Sequence, residues 1–219
     1  MEKEGVGMTR TWGIAGVICL ALGAMVAAQG GGQRPASPAG SSATQVGGQY
    51  VTPPGSTEAN YQGGKWIEIT YGRPIKRGRD LWGSGADYGK KLLDDALVWR
   101  AGANLTTQLK SEVPLVFGSK TVAPGEYDVF IDLKPTAWTF ILSTWPAQTR
   151  YDPNNKDAVY GAFNYTPDKD VLRTPMTLGT LPFSVDQLTW NFHDVSDAGG
   201  KLAIMWDKTI ASVPFTVGK

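Results

Sequence analysis

Short runs of alternating apolar and polar residues recur along the chain from residue 65 onward. In Lys65-Trp66-Ile67-Glu68-Ile69-Thr70-Tyr71 the alternation puts Ile67, Ile69 and Tyr71 on one face. Tyr127, Val129, Ile131 and Leu133 alternate with Asp128, Phe130, Asp132 and Lys134, and Trp138, Phe140 and Leu142 follow a Lys134-Pro135-Thr136 turn. Leu188, Trp190 and Phe192 alternate with Thr189, Asn191 and His193; Leu202, Ile204 and Trp206 repeat the pattern after Gly199-Gly200, and a last run covers 210–217. Side chains of a strand point alternately to opposite faces, so each run predicts a half-buried strand. The runs are rich in aromatic and β-branched residues and bounded by Gly, Pro, Asn and Asp, so tight turns should join them into antiparallel hairpins. The pattern predicts an all-β fold, an antiparallel β-sandwich or flattened barrel. Leu92, Leu93 and Leu97 lie at helical spacing and predict one short helix within 89–97. A long polar and aromatic connection spans 148–170; ordered loops of that length carry function or cover an edge.

The N-terminal region reads differently. Arg10 precedes an apolar run from Trp12 to Val26 that closes on Val26-Ala27-Ala28. A basic start, a short apolar stretch and small residues at the cut form a secretory signal, with Gln29 as the expected new N-terminus. Met8 is an alternative start, because Glu2 and Glu4 suit the basic region poorly. The alternative of an uncleaved anchor fits less well, since the run is shorter than the roughly 20 apolar residues that span a bilayer. Residues 1–28 are therefore expected to be a signal peptide, 29–48 a flexible Gly/Ser/Pro/Ala-rich linker, and 49–219 a single domain. The protein is expected to be exported, to the periplasm or beyond, with no membrane contact after cleavage.

Composition narrows the chemistry. The chain of 219 residues is 42% hydrophobic and 19% charged, enough apolar material for a real core. Its net charge of +1 is the same without residues 1–28 and gives no electrostatic reason to expect nucleic acid as a partner. The one cysteine, Cys19, falls in the segment expected to be removed, so the mature domain has no thiol for a disulfide, a metal or nucleophilic catalysis. With one histidine, His193, and no mature cysteine, zinc, copper and iron centres are not expected, nor is any other cofactor. The 152–157 stretch, DPNNKD, is oxygen-rich, but Lys156 interrupts it as a calcium loop, and its composition is equally that of a turn. His193 falls on the polar face of its strand, without a nucleophile-elbow sequence to complete a triad.

The strongest constellation is basic and aromatic. Arg73-Pro74 is followed by Lys76-Arg77-Gly78-Arg79 and Leu81-Trp82-Gly83, and later by Trp99-Arg100-Ala101-Gly102-Ala103-Asn104. Arginine offers a planar fork to carboxylate or phosphate, tryptophan a stacking face, and Gly102 close approach of the backbone. Arg73, Arg79, Trp82, Trp99, Arg100 and Asn104 are the candidate ligand-binding residues. The competing reading is structural: in it Arg73 and Arg100 pair with internal carboxylates such as Glu68 and pin loops to the sandwich.

These two segments, with the hairpin entry Pro124-Gly125-Glu126-Tyr127 and the Trp138-Thr139-Phe140-Ile141-Leu142 strand, resemble the exported bacterial family called domain of unknown function 2911. The likeness covers roughly residues 52–217 and is sharpest in the WRAGAN segment, 99–104. The chain departs from the family pattern at 88–98 and at 148–170. The resemblance implies a fold and export; it brings no activity. From the residues themselves, the expectation is a non-catalytic binding module for a small polar or anionic ligand or glycan. The alternatives are an envelope hydrolase acting on a sugar or ester, with a carboxylate or His193 as acid–base, and an accessory protein with no ligand site.

Overall fold

The structure, a computed structural model, describes residues 35–218. The expected signal peptide, with Cys19, lies outside the described residues.

Two antiparallel sheets form a sandwich. The first contains β1 (Ala39–Val46), β4 (Lys65–Gly72), β5 (Thr107–Ser111), β8 (Gly125–Lys134), β9 (Ala137–Ser143) and β10 (Asp170–Pro175), in the order β1-β4-β5-β8-β9-β10. The second contains β6 (Leu115–Phe117), β7 (Lys120–Val122), β11 (Thr177–Ser196) and β12 (Gly199–Val217), in the order β11-β12-β6-β7. Both sheets have free edges, so the flattened barrel is excluded. A small ribbon of β2 (Gln49–Val51) and β3 (Asn60–Gln62) stands apart from them. The helix is a single turn, α1 (Lys90–Leu93).

The alternating residues meet between the sheets. Ile67, Ile69, Leu109, Val129, Ile131 and Phe140 of the first sheet share one core with Trp190, Ile204, Val213 and Phe215 of the second. Phe140 lies 5.8 Å from Phe117 and 6.2 Å from Trp190, ring centre to ring centre. Along β12 the inward parity changes from even (Leu202, Ile204, Trp206) to odd (Ala211, Val213, Phe215). Asp207 between them has φ 52°, and the ladder to β11 slips around it. The bulge admits an extra residue, and because the side-chain period is two, everything beyond it turns over.

Two expectations need correction. The stretch expected to be linker up to Gly48 holds β1, which pairs with β4 over its whole length, Ala39 with Gly72 to Val46 with Lys65. Its sequence, AGSSATQV, is small and polar because an edge strand there buries little beyond Val46. The ordered domain therefore begins before residue 49. The second correction concerns Phe130, which falls on the polar register of its strand yet is fully buried. The 148–170 connection folds over the outer face of β8 and β9 and closes a second, smaller core of Val98, Phe130, Ile141, Val159, Ala162 and Tyr165. Gln148 fastens this cover, donating to the carbonyls of Asn155 and Ala158 and accepting from the Asp152 N–H. Tyr165 donates to Asp170 at 2.7 Å, and Arg173 joins Asp170 to Asp132.

Candidate functional site

The WRAGAN segment begins against the first sheet and ends in a turn. Trp99 exchanges two backbone hydrogen bonds with Ile131, so the chain enters the segment as an extension of the first sheet. It then turns sharply through Ala101, at φ 52°, and Asn104, at φ 63°. Non-glycine residues hold this left-handed conformation only where their surroundings compensate its cost. Here the Ala101 carbonyl accepts from the Trp190 indole at 2.9 Å and from the Thr107 hydroxyl. The turn is pressed against the end of β4, where a methyl on Gly72 would overlap the Ala103 carbonyl oxygen.

The second basic segment lies across from it. Lys76 donates to the Asp186 carbonyl through its backbone and pairs with Asp207 at 2.6 Å, which ties the 75–79 turn to the β12 bulge. Lys76 and Ser184 hold the Asp207 carboxyl below the usual carboxylate range. Arg79 folds back onto its own turn and donates to the carbonyls of Ile75 (2.6 Å) and Lys76 (3.0 Å), with its guanidinium 6.0 Å from the Trp206 ring.

Between the segments is an open cleft of about 730 Å³. Of the predicted residues, Arg79, Trp99, Arg100 and Asn104 line it; Arg73 and Trp82 do not. Arg77, Lys91 and Trp206, which were not singled out, also line it. Arg77 shared a basic run with Arg79, and the adjacent Gly78 marked a turn that exposes both; Lys91 and Trp206 come from distant segments, which only the fold brings together.

The roles differ from those expected. Trp82, Trp99, Trp138 and Trp206 pack as a cluster, with the Trp82 and Trp138 rings 4.8 Å apart, and Trp99 is 1% exposed. The tryptophans form the floor and core, not a stacking platform. Arg73 donates to the Leu188 carbonyl and the Thr189 hydroxyl, both at 3.4 Å, and so spans the two sheets. Asn104 donates its side-chain amide N–H to the Ser37 carbonyl, and its backbone carbonyl accepts from Arg100 Nη1 (3.0 Å), bracing the segment on both sides. The competing reading, in which Arg73 or Arg100 pairs with an internal carboxylate, is not found among the described residues. Among the described residues, Arg73, Arg77, Arg79, Lys91 and Arg100 make no ion pair. Asp94 is the one carboxylate in the cleft wall.

The other chemical candidates lie elsewhere. His193 pairs in register with Lys201, and its Nε2 is buried without a partner; the neighbouring Asp194 instead pairs with Lys201 at 2.8 Å. In the 152–157 stretch, Asp152 and Asn155 each accept a backbone N–H two residues on, the pattern of Asx turns. Among the described residues, no group of three or more metal-ligating side chains is placed to hold an ion.

The chain is an open antiparallel sandwich with a cleft beside its WRAGAN turn that four cations and one carboxylate line. The chain belongs to the family described as "Protein of unknown function (DUF2911)", whose model matches residues 52–215. No curated protein and no solved structure matches it.

Proposed function

We propose that this is an exported binding module that holds a small anionic ligand in the cleft between the Arg77–Arg79 turn and the WRAGAN segment. The observation that carries the reading is electrostatic: Arg77, Arg79, Lys91 and Arg100 line one cleft against a single carboxylate, and none of the four is committed to an ion pair among the described residues. Unpaired cations that share a concave wall attract an anion more strongly than isolated ones, and the guanidinium fork suits carboxylate or phosphate. The cleft's size falls in the range of small-molecule sites. Asp94 is the single carboxylate there, so the cleft does not hold the carboxylate pair of a glycosidase, which favours binding over hydrolysis.

Calorimetric titration of the mature protein with inorganic phosphate and with a dicarboxylate tests this. Binding is expected to weaken by roughly tenfold or more in Arg100→Ala and in Arg77→Ala, the loss of one charge-assisted contact. Equal affinity in both folded variants, or no binding to the wild type, overturns it. Export rests on the basic, apolar and small-residue pattern of residues 1–28, and N-terminal sequencing of protein recovered from the cell envelope should begin at Gln29.

A further inference from the structure

A second cleft, of about 590 Å³, adjoins the first, and Arg100 and Asp94 stand in the walls of both. The two differ in sign. The first has four cations against one carboxylate; the second has Asp94 and Asp95 against Arg100 alone. The second is also aromatic. Tyr151 lies 5.4 Å from Tyr160 and 5.7 Å from Phe163, ring centre to ring centre, with the planes inclined at 60° and 70°. These rings are not core. Tyr151 is 49% and Phe163 43% exposed, on a connection that is otherwise anchored by its own small core. A cation already rests on this patch, for the Lys156 ammonium lies 5.3 Å from the Phe163 ring centre.

Mutually inclined aromatic rings beside carboxylates form the environment that attracts alkylated ammonium groups, through the negative faces of the rings and the nearby carboxylate oxygens. We infer that the ligand of the anion cleft is dipolar: its anionic group meets Arg77 and Arg100, and an alkylated ammonium group at its other end sits among Tyr151, Tyr160 and Phe163 near Asp95. This rests on the anion-binding reading and specifies the ligand's second half. Arg100, on the shared wall, lies where the two ends of such a molecule join.

Three probes separate the parts: inorganic phosphate for the first cleft, tetramethylammonium for the second, and phosphocholine for both. Phosphocholine is expected to bind at least tenfold more tightly than phosphate, because the second group binds at a high effective concentration. Tyr151→Ala and Asp95→Asn should remove most of that gain and leave phosphate affinity unchanged, while Arg77→Ala should weaken phosphate and spare tetramethylammonium. Phosphate binding with no gain for phosphocholine, or a gain that survives both Tyr151→Ala and Asp95→Asn, overturns the dipolar ligand and leaves the anion reading standing. A neutral disaccharide that binds in a Tyr151-dependent way, with no response to tetramethylammonium, also overturns it by making the rings a sugar platform. Tetramethylammonium binding without phosphate binding overturns the anion reading and the dipolar ligand together.

Discussion

The Arg100 guanidinium occupies the space beside Gly161: a methyl built on Gly161 would stand 2.6 Å from Nη1 and 2.8 Å from Cζ. The contact joins the WRAGAN segment to the cover over the outer face of the first sheet. Gly161 has φ +60°, so a side chain there is strained before it meets the arginine. Gly161→Ala is expected to cost about 1–2 kcal/mol in urea unfolding and to displace Arg100. Phosphate affinity in the same variant should fall in calorimetry, while tryptophan fluorescence of the core stays native.

Arg73 and Arg77 should respond in opposite ways. Arg73 bridges the sheets through neutral oxygens, so Arg73→Ala is expected to lower stability by about 1–2 kcal/mol with phosphate affinity unchanged. Arg77 is exposed, its side chain making no hydrogen bond or ion pair among the described residues, so Arg77→Ala should leave the melting temperature within a degree or so and weaken phosphate binding. Paired melting curves and titrations check both.

Asp128 lies on the outer face of β8, 2% exposed, where one carboxyl oxygen accepts from Gln108 and the other has no partner. Burial raises its pKa to about 7, against the Gln108 hydrogen bond, which lowers it. The folded state therefore holds a proton that the unfolded state has lost between pH ~4 and ~7, and stability falls as pH rises through that window and is lowest above it. Asp128→Asn keeps the shape without the charge. Urea unfolding should show it more stable than wild type at pH 8 by about 1–3 kcal/mol, with the difference shrinking toward pH 5. A constant difference across pH would contradict the assignment.

Gly72 is the place where the WRAGAN turn touches β4, and a methyl there meets a backbone carbonyl rather than a side chain that can move aside. Gly72→Ala is expected to cost about 2–3 kcal/mol and to disturb the cleft, read as a lowered melting temperature together with lost phosphate binding.

The sandwich was legible because Ile67, Ile69, Val129, Ile131, Leu188 and Trp190 alternate strongly enough to declare a buried face. β1 was not, since an exposed edge strand of Ala, Gly, Ser and Thr has the composition of a linker; only its pairing with β4 distinguishes it. Phe130 falls in the solvent register because alternation assumes one wet face, and the cover supplied by 148–170 is a long-range fact. At the site, the WRAGAN segment carried Arg100 and Asn104 to the cleft wall. Trp82 reads as a ligand-stacking residue from its type alone, which suits a core equally well; its packing against Trp138 and Trp206 is set by the fold. Lys91 and Trp206 lie far from both basic runs in sequence, with no local signal.

The sheet order also dictates when the chain can finish folding. β12 stands between β11 and β6, and its final residues, Thr216 and Val217, pair with Val116 and Leu115, about a hundred positions earlier. Until those residues arrive, the β6–β7 hairpin has nothing to join and Phe117 lacks Phe215, 6.4 Å away in the finished core. Closing so large a span is slow, and its entropy must be spent before the contacts reward it. β12 is thus the clasp of the second sheet: without its pairing to Val116 and Leu115, the long β11–β12 hairpin and the short β6–β7 hairpin are two separate pieces.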